Sequence, residues 1–315
     1  MIEYRTFRNT DPPGLAAIWN ESFTGRGAVQ LRHSMPLETF VFSKPYFDPA
    51  GLVIAWDGAN PVGFAHSGFG SDAVGSALSK ANGVICAIGV LPAYRRRGIG
   101  TELLMHSERY LWSNGAQRLV AGPRAPVDPF YFSLYGGSKL PGFLASDAEA
   151  EPFLGRHAYK AQEKTLILQR ELGAKVDQAD GRFAALRRQF DVRIVPRGGK
   201  MSWWQECVVG PVEPVDFQLE EKGTGRMVAR VCLWEMESFG SRWSQSSVGI
   251  MDVEVIPELR RRGVAKYLLL QTMRYLQDQY FALTEVQVPA TNAEALAFFQ
   301  DSGFTQVDVG KFYVK

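Results

Sequence analysis

Val90-Leu91-Pro92-Ala93-Tyr94-Arg95-Arg96-Arg97-Gly98-Ile99-Gly100 decides how this chain is read, because Val255-Ile256-Pro257-Glu258-Leu259-Arg260-Arg261-Arg262-Gly263-Val264-Ala265 repeats it 165 residues later. Both copies follow a short β-branched run. Both lead into a leucine-rich segment of helical period, TELLMHSERYLW (101–112) and KYLLLQTMRYLQ (266–277). The order strand, turn, basic-glycine run, helix carries a specific chemistry. A helix start offers unsatisfied N–H groups and partial positive charge. Glycine lets an anion reach the main chain, and arginines add bidentate donors. Each copy therefore predicts a cradle for a pyrophosphate group. Neither GxxxxGKS/T nor GxGxxG with an acidic residue about 20 positions on occurs as a competing phosphate loop.

Around these strings the chain has 315 residues, 46% hydrophobic and 22% charged, which suits two globular domains of about 150 residues each. Lys and Arg total 35 against 33 Asp and Glu, a net charge of +2. So balanced a chain is not built to coat nucleic acid or an anionic membrane, and any anion site has to be local. Cys86, Cys207 and Cys232 are odd in number and far apart, with no CxxC pair or metal-ligand spacing. Reduced thiols, no metal and a cytoplasmic protein are expected. The opening MIEYRTFRNT carries charge where a signal peptide needs an apolar run, and the longest apolar stretch, near VICAIGV, is too short to span a bilayer.

Turn and periodicity signals predict, in the first copy, strands at 4–8, 84–90, 118–121 and 163–169, helices near 13–23 and 98–113, and a hairpin of 52–56 with 62–68 around DGAN. The second copy predicts a hairpin of 216–221 with 226–234, strands at 249–255 and 285–289, and helices after Gly263 and from Asn292. The domains expected are 1–172, with an aromatic segment at about 122–146, and 183–315, joined by a polar, glycine-bearing linker at 173–182. A further shared string has two competing matches. Asn292-Ala293-Glu294-Ala295 through Phe298-Phe299 aligns with Asp147-Ala148-Glu149-Ala150 through Phe153 at an offset of 145, or with Phe130-Tyr131 at an offset of 168. The second needs almost no change in length and is the preferred match; the first makes the aromatic segment an insertion.

The pattern V-x-P-x-x-R-x-x-G-x-G/A between strand and helix resembles motif A of the GNAT superfamily of N-acetyltransferases, and NAEALAFFQDSGF resembles that family's following helix. The resemblance covers nearly the whole chain as two tandem copies, a layout like that of mycothiol synthase. It implies an α/β fold of two tandem GNAT-like domains, each a splayed mixed sheet flanked by helices, with acetyl-CoA lying in the splay. By position, Ile88, Gly89 and Val90 would meet the pantetheine and acetyl end in the first copy. Arg95, Arg96, Arg97, Gly98, Ile99, Gly100 and Thr101 would hold the pyrophosphate. In the second copy the matching positions are Val253 and Val255, then Arg260, Arg261, Arg262, Gly263, Val264, Ala265 and Lys266, with Asn292 on the cofactor's far side. The implied reaction is direct attack of an amine on the thioester.

The acid–base groups depart from the family pattern. Its helix tyrosine is Phe299 in the second copy, and Tyr131 or Leu154 in the first, depending on the match. Its early strand glutamate is Val84 and Gly249. Substitutes are Asp252 and Glu254, two apart and so on one strand face, and Tyr131 or Tyr135 in PVDPFYFSLYGGSKLPGF, a segment placed to wall or lid the first site. Its aromatics can equally plug the interface between the copies. Trp203, Trp204, Trp234, Trp243 and Phe239 read as packing. The leading reading is an acetyl-CoA-dependent N-acyltransferase acting on a primary amine of a small molecule or peptide, monomeric or dimeric, with the first copy favoured for catalysis. The alternative is an acyl-CoA-binding or sensing protein without turnover.

Overall fold

The computed structural model describes residues 1–173, 181–196 and 201–315, so most of the expected linker, 174–180, lies outside the described residues. In chain order the first half holds β1 (Ile2–Thr6), α1 (Pro12–Ser22), α2 (Met35–Leu37), β2 (Leu52–Asp57), β3 (Asn60–Ser71), β4 (Leu78–Val90), α3 (Ile99–Ser113), β5 (Arg118–Ala121), β6 (Phe143–Leu144), α4 (Ala150–Arg156) and β7 (Lys160–Glu171). The second half holds α5 (Arg182–Gln189), β8 (Phe190–Pro196), α6 (Trp203–Val209), β9 (Val215–Glu221), β10 (Met227–Glu235), α7 (Glu237–Trp243), β11 (Ser247–Val255), α8 (Val264–Asp278), β12 (Leu283–Pro289), α9 (Ala293–Asp301) and β13 (Thr305–Val314). These form two compact units. One comprises residues 1–165, 201–211 and 308–315; the other comprises 166–200 and 212–307. Sequence halves and units are therefore not the same thing. From Leu166 onward β7 belongs to the second unit, and from Asp308 onward β13 belongs to the first.

In the first unit the strands run in the order β1-β2-β3-β4-β5-β13. β1 to β4 pair antiparallel, β4 and β5 pair parallel, and β13 closes against β5 through Tyr313 opposite Ala121 and Val314 opposite Val120. Side chains alternate across β3, so the two faces meet different helices. Ala65 packs with Ile99 and Leu103 of α3, while the Phe64 ring lies edge-on to Phe23 just after α1. Helix α3 buries Ile99, Leu103, Leu104, Ser107 and Leu111, one stripe at helical spacing.

Residues 122–146 carry no helix, so the length-preserving match to Phe130-Tyr131 does not hold. The helix between β5 and β7 is α4, and it occupies the place that α9 takes between β12 and β13. The aromatic segment is an insertion that folds as buried irregular chain, because four prolines and the pair Gly136-Gly137 disfavour regular structure. Phe130, Tyr131, Phe132, Leu134 and Tyr135 are all buried. Its main chain is satisfied piecemeal: Val29 N–H donates to the Leu134 carbonyl (2.9 Å), Gly136 N–H to Gly27 (2.7 Å), and β6 pairs with β13. The segment 201–211 also packs in this unit. Trp204 donates its indole N–H to Asp128 (2.8 Å) and stacks on Tyr46, and buried Lys44 donates to the carbonyls of Cys207 and Val208.

The second unit repeats the plan in the order β7-β12-β11-β10-β9-β8, with β11 and β12 parallel. Its core gathers Phe217, Leu219, Val231 and Ile250 from the sheet with Leu268, Leu269, Met273 and Leu276 of α8. Trp234 and Phe239 are buried and Trp243 packs on Phe239, whereas Trp203 is exposed.

A chain ending at residue 307 loses the neighbour of β5 together with buried Phe312 and Tyr313, each worth about 1.5–3 kcal/mol of burial. Hydrogen exchange is expected to show loss of protection in β5 with β11 and β12 retained; undiminished protection of β5 would refute the pairing.

Candidate functional site

The site begins with one extra residue in a strand. Against β3, His66 pairs with Ala87 and Ser67 with Ile85, so Cys86 is the bulge residue of β4. Pairing of β4 with β5 covers only Asn82 to Ile85, and the last five residues of β4 run on without it. The second unit does the same. Cys232 pairs with Asp252 and Leu233 with Ile250, which makes Met251 the extra residue, and β11 pairs with β12 only from Ser247 to Ile250. Cys86 and Met251 are 165 positions apart, the repeat offset. In each unit the two parallel strands thus separate, and the edge of the longer one is left to face something other than a strand.

The turn that follows is also duplicated atom for atom. Arg95 Nε donates to the Val90 carbonyl and Arg260 Nε to that of Val255, both at 3.0 Å. Arg96 and Arg261 take left-handed backbone (φ 63° and 61°), as do Gly98 and Gly263 (φ 83° and 82°). A non-glycine residue in this region costs about 1–2 kcal/mol, so an arginine there twice marks stored strain. The first intrahelical bonds run from Glu102 to Gly98 and from Tyr267 to Gly263. The amides of Ile99, Gly100 and Thr101, and of Val264, Ala265 and Lys266, therefore precede any helical partner and form an anion-binding concavity.

In the first unit this turn opens into a cleft of about 460 Å³, within the range of small-molecule sites. Ile88, Gly89 and Val90 of the splayed edge line it, with Arg95, Arg96, Gly98, Gly100 and Thr101 of the turn. The opposite wall is Phe143, Ser146, Asp147, Glu149 and Phe153, and the loop after α1 adds Phe23 and Gly25. Of the expected cradle residues, Arg97 instead lies over the Tyr94 ring and Ile99 is buried in the core. Thr101 Oγ1 meets His157 Nε2 at 3.2 Å. Arg96 reaches across to Glu149 (2.8 Å), an exposed pair, and such pairs are worth about 0–1 kcal/mol, little enough for an incoming phosphate to displace.

The GNAT acetyltransferase family profile matches residues 14–132 and 197–304. The chain belongs to the GNAT family. Among solved structures it is similar to the GCN5-related glucosamine N-acetyltransferase region of a fungal multi-domain GH3 beta-N-acetylglucosaminidase (16% identity, TM-score 0.71), aligning over its whole length but spanning only 38% of that chain. It is also similar to a tandem GNAT protein from the clavulanic acid biosynthesis pathway (13%, 0.68, 100% and 98% of the two chains) and to a GCN5-related N-acetyltransferase from Sphaerobacter thermophilus (13%, 0.64, 100% and 95%). At these identities the likeness speaks for the fold, here a tandem pair of GNAT units. No curated protein matches by sequence. Among the described residues no helix is long and apolar enough to cross a membrane, and no group of three His, Cys, Asp or Glu side chains could hold a metal ion.

The second GNAT unit keeps the turn but fills its surroundings differently. The Arg182 guanidinium lies 3.6 Å from where a β-carbon on Gly263 would stand, whereas on Gly98, its own stretch of chain aside, no described residue comes within 4 Å of that position. Phe183, next in α5, packs on Tyr267. Asn292 caps α9, its side chain accepting from Ala295 N–H (3.1 Å). Val253 and Val255 are half-buried against the core. Asp252 and Glu254 do share a strand face, and both bind one cation: Arg230 donates to Asp252 (2.8 Å) and to both oxygens of Glu254 (3.0 Å), with buried Asp216 3.5 Å away. The hydrogen bond with Glu254 raises the Arg230 pKa, the neighbouring carboxylates adding to it.

The tyrosines of the insertion stand behind the cleft wall rather than in it. Tyr131 stacks on Trp19 and its hydroxyl meets His66 Nδ1 at 3.0 Å. Burial raises the Tyr131 pKa and lowers that of His66 to about 3. Tyr135 donates its hydroxyl hydrogen to Asp147 and accepts the Leu144 N–H (2.9 Å). Asp147 and Glu149 are the functional-site residues not singled out from the sequence. Their signal was present in the offset-145 match, which sets Asp147 against Asn292 and Glu149 against Glu294. The structure gives that match a physical basis: Arg261 approaches Glu294 (3.9 Å) as Arg96 approaches Glu149.

Replacing Arg230 by methionine leaves three carboxylates without their shared cation, and the second unit is expected to lose about 1–3 kcal/mol at neutral pH. Urea unfolding checks this.

Proposed function

We propose that the first unit binds acetyl-CoA and transfers its acetyl group to a primary amine of a small molecule or peptide. The observation that carries this reading is the coincidence, in one cleft, of a splayed strand edge with an anion-binding turn. The residues present fit such a ligand. The amides at the start of α3, which precede the first helical bond, and the guanidinium groups of Arg95 and Arg96 suit a diphosphate. The unpaired edge at Ile88, Gly89 and Val90 suits the extended, amide-bearing arm that follows it. Bound there, acetyl-CoA supplies an acyl carbon activated as a thioester.

The chain's own part is to hold the donor extended, exclude water with Phe23, Phe143 and Phe153, and present main-chain N–H groups at the end of β4. Transfer is direct rather than through a cysteine. Burial pushes the Cys86 thiol well up, and Cys86 does not line the cleft. One observation favours a second reading, an acyl-CoA sensor without turnover: the family's helix tyrosine is replaced by Leu154, which lines the cleft, and by buried Phe299 in the other unit.

Calorimetry with acetyl-CoA is expected to give one site per chain. Gly98→Val, which adds a β-branched side chain at positive φ, should weaken it at least tenfold, and Gly263→Val should leave it within about twofold. Two sites, or equal losses in the two variants, would overturn the assignment to the first unit. Thiol release with an amine panel then separates transferase from sensor, since binding without release supports the latter.

A further inference from the structure

We propose that Asp147 is the general base of the first unit's cleft and that Tyr135 is the residue that positions it. The proposal rests on acyl transfer in that cleft. An amine arrives at neutral pH as an ammonium ion and cannot attack until it has lost a proton. Among the described residues that line the cleft, the nitrogen, sulfur and phenol groups that usually accept protons are missing; the lining carboxylates are Asp147 and Glu149. Glu149 is exposed and engaged by Arg96 at the pyrophosphate end. Asp147 is set deeper, between the insertion and the loop after α1.

Its geometry is fixed from behind. Tyr135 donates to Oδ2 and is itself held by the Leu144 N–H, so the phenol cannot swing away. Oδ1 lies beside Gly25, another lining residue, so closely that a β-carbon there would come within 2.9 Å of it. The neighbouring Ser146 is tied to Asp308, its hydroxyl donating to Oδ2 at 2.6 Å. The charged groups facing Asp147 are therefore Asp308 from β13 behind it, and Arg95, Arg96, Glu149 and Arg156 along the cleft. Burial raises the Asp147 carboxyl above its ordinary value; the Tyr135 hydrogen bond opposes this and the Asp308 charge adds to it. Such a group is a better proton acceptor than a solvated aspartate.

The two copies differ at this position in the way a division of labour requires. The equivalent of Asp147 is Asn292, an amide that accepts a helix N–H and takes up no proton. In the step proposed, the ammonium gives one proton to the Asp147 carboxylate. The neutral nitrogen forms the C–N bond as the C–S bond breaks, its second proton leaves with the thiolate as the free thiol, and Asp147 returns its proton to water.

The test compares kcat against pH for wild type, Asp147→Asn and Tyr135→Phe, using thiol release with acetyl-CoA and a reactive primary amine. The amine's own titration is common to all three. In Asp147→Asn, turnover is expected to fall about 100-fold with loss of the limb that rises on the acidic side, while acetyl-CoA affinity stays within about threefold. In Tyr135→Phe, loss of the hydrogen bond that favours the ionised form should move that limb to higher pH. An Asp147→Asn enzyme that keeps the limb, whether its rate is normal or uniformly lowered, overturns the proposal and leaves acyl transfer standing. A wild type that binds acetyl-CoA yet releases no thiol overturns both.

Discussion

The parting of two parallel strands is the constraint from which the rest of this structure follows. β4 leaves β5 after Ile85 because the extra residue Cys86 bends it away, and an unpaired strand edge inside a protein has to find hydrogen-bonding partners or be lined for one. On its other side β4 stays paired with β3 as far as Val90, so the opened edge remains rigid. Arg95 then reaches back to the Val90 carbonyl and fixes the start of the turn that aims the α3 amides into the same gap. Strand edge and helix start thus converge on one cleft through the local path of the chain, pinned by one arginine side chain.

That order explains what the two units share and where they part. Bulge position, left-handed arginine, left-handed glycine and the Nε-to-carbonyl bond all belong to one short stretch of chain, and they recur at the same offset. What surrounds the turn is side-chain chemistry, and it has diverged. Apart from its own stretch of chain, no described residue comes within 4 Å of the space above Gly98, while Arg182 stands over Gly263. An aspartate stands where the other unit has an asparagine. The two copies thus share a skeleton and differ in what surrounds it.

The skeleton was legible in the sequence because it is written in local signals. Proline, arginine and glycine at fixed spacing marked the turn, and the observed strands and helices around it fall close to those predicted. The path of residues 122–146 was not legible. Its prolines, glycines and aromatics specify no period, and the segment is ordered by distant partners such as Gly27, Val29 and the C-terminal strand. Preferring equal length over composition therefore misplaced the following helix, and with it the equivalence of Asp147 and Asn292. Tyr135 was named from the sequence as a source of a phenol; only the fold could show that its hydroxyl points at a carboxylate rather than into the cleft. Nor does a linear pattern reveal that Asp252 and Glu254 answer to an arginine on the neighbouring strand.

The crossing-over of β7 and β13 between units bears on how this molecule comes into being. A ribosome delivers the amino-terminal half first, yet the neighbour of β5 and the carboxylate that steadies Ser146 come only with the stretch that begins at Asp308. The first unit's sheet must therefore wait, one edge bare, until residues 308–314 have been made. Assembly order thus runs against synthesis order, which makes the nascent chain rather than the finished protein the stage most exposed to wrong pairing.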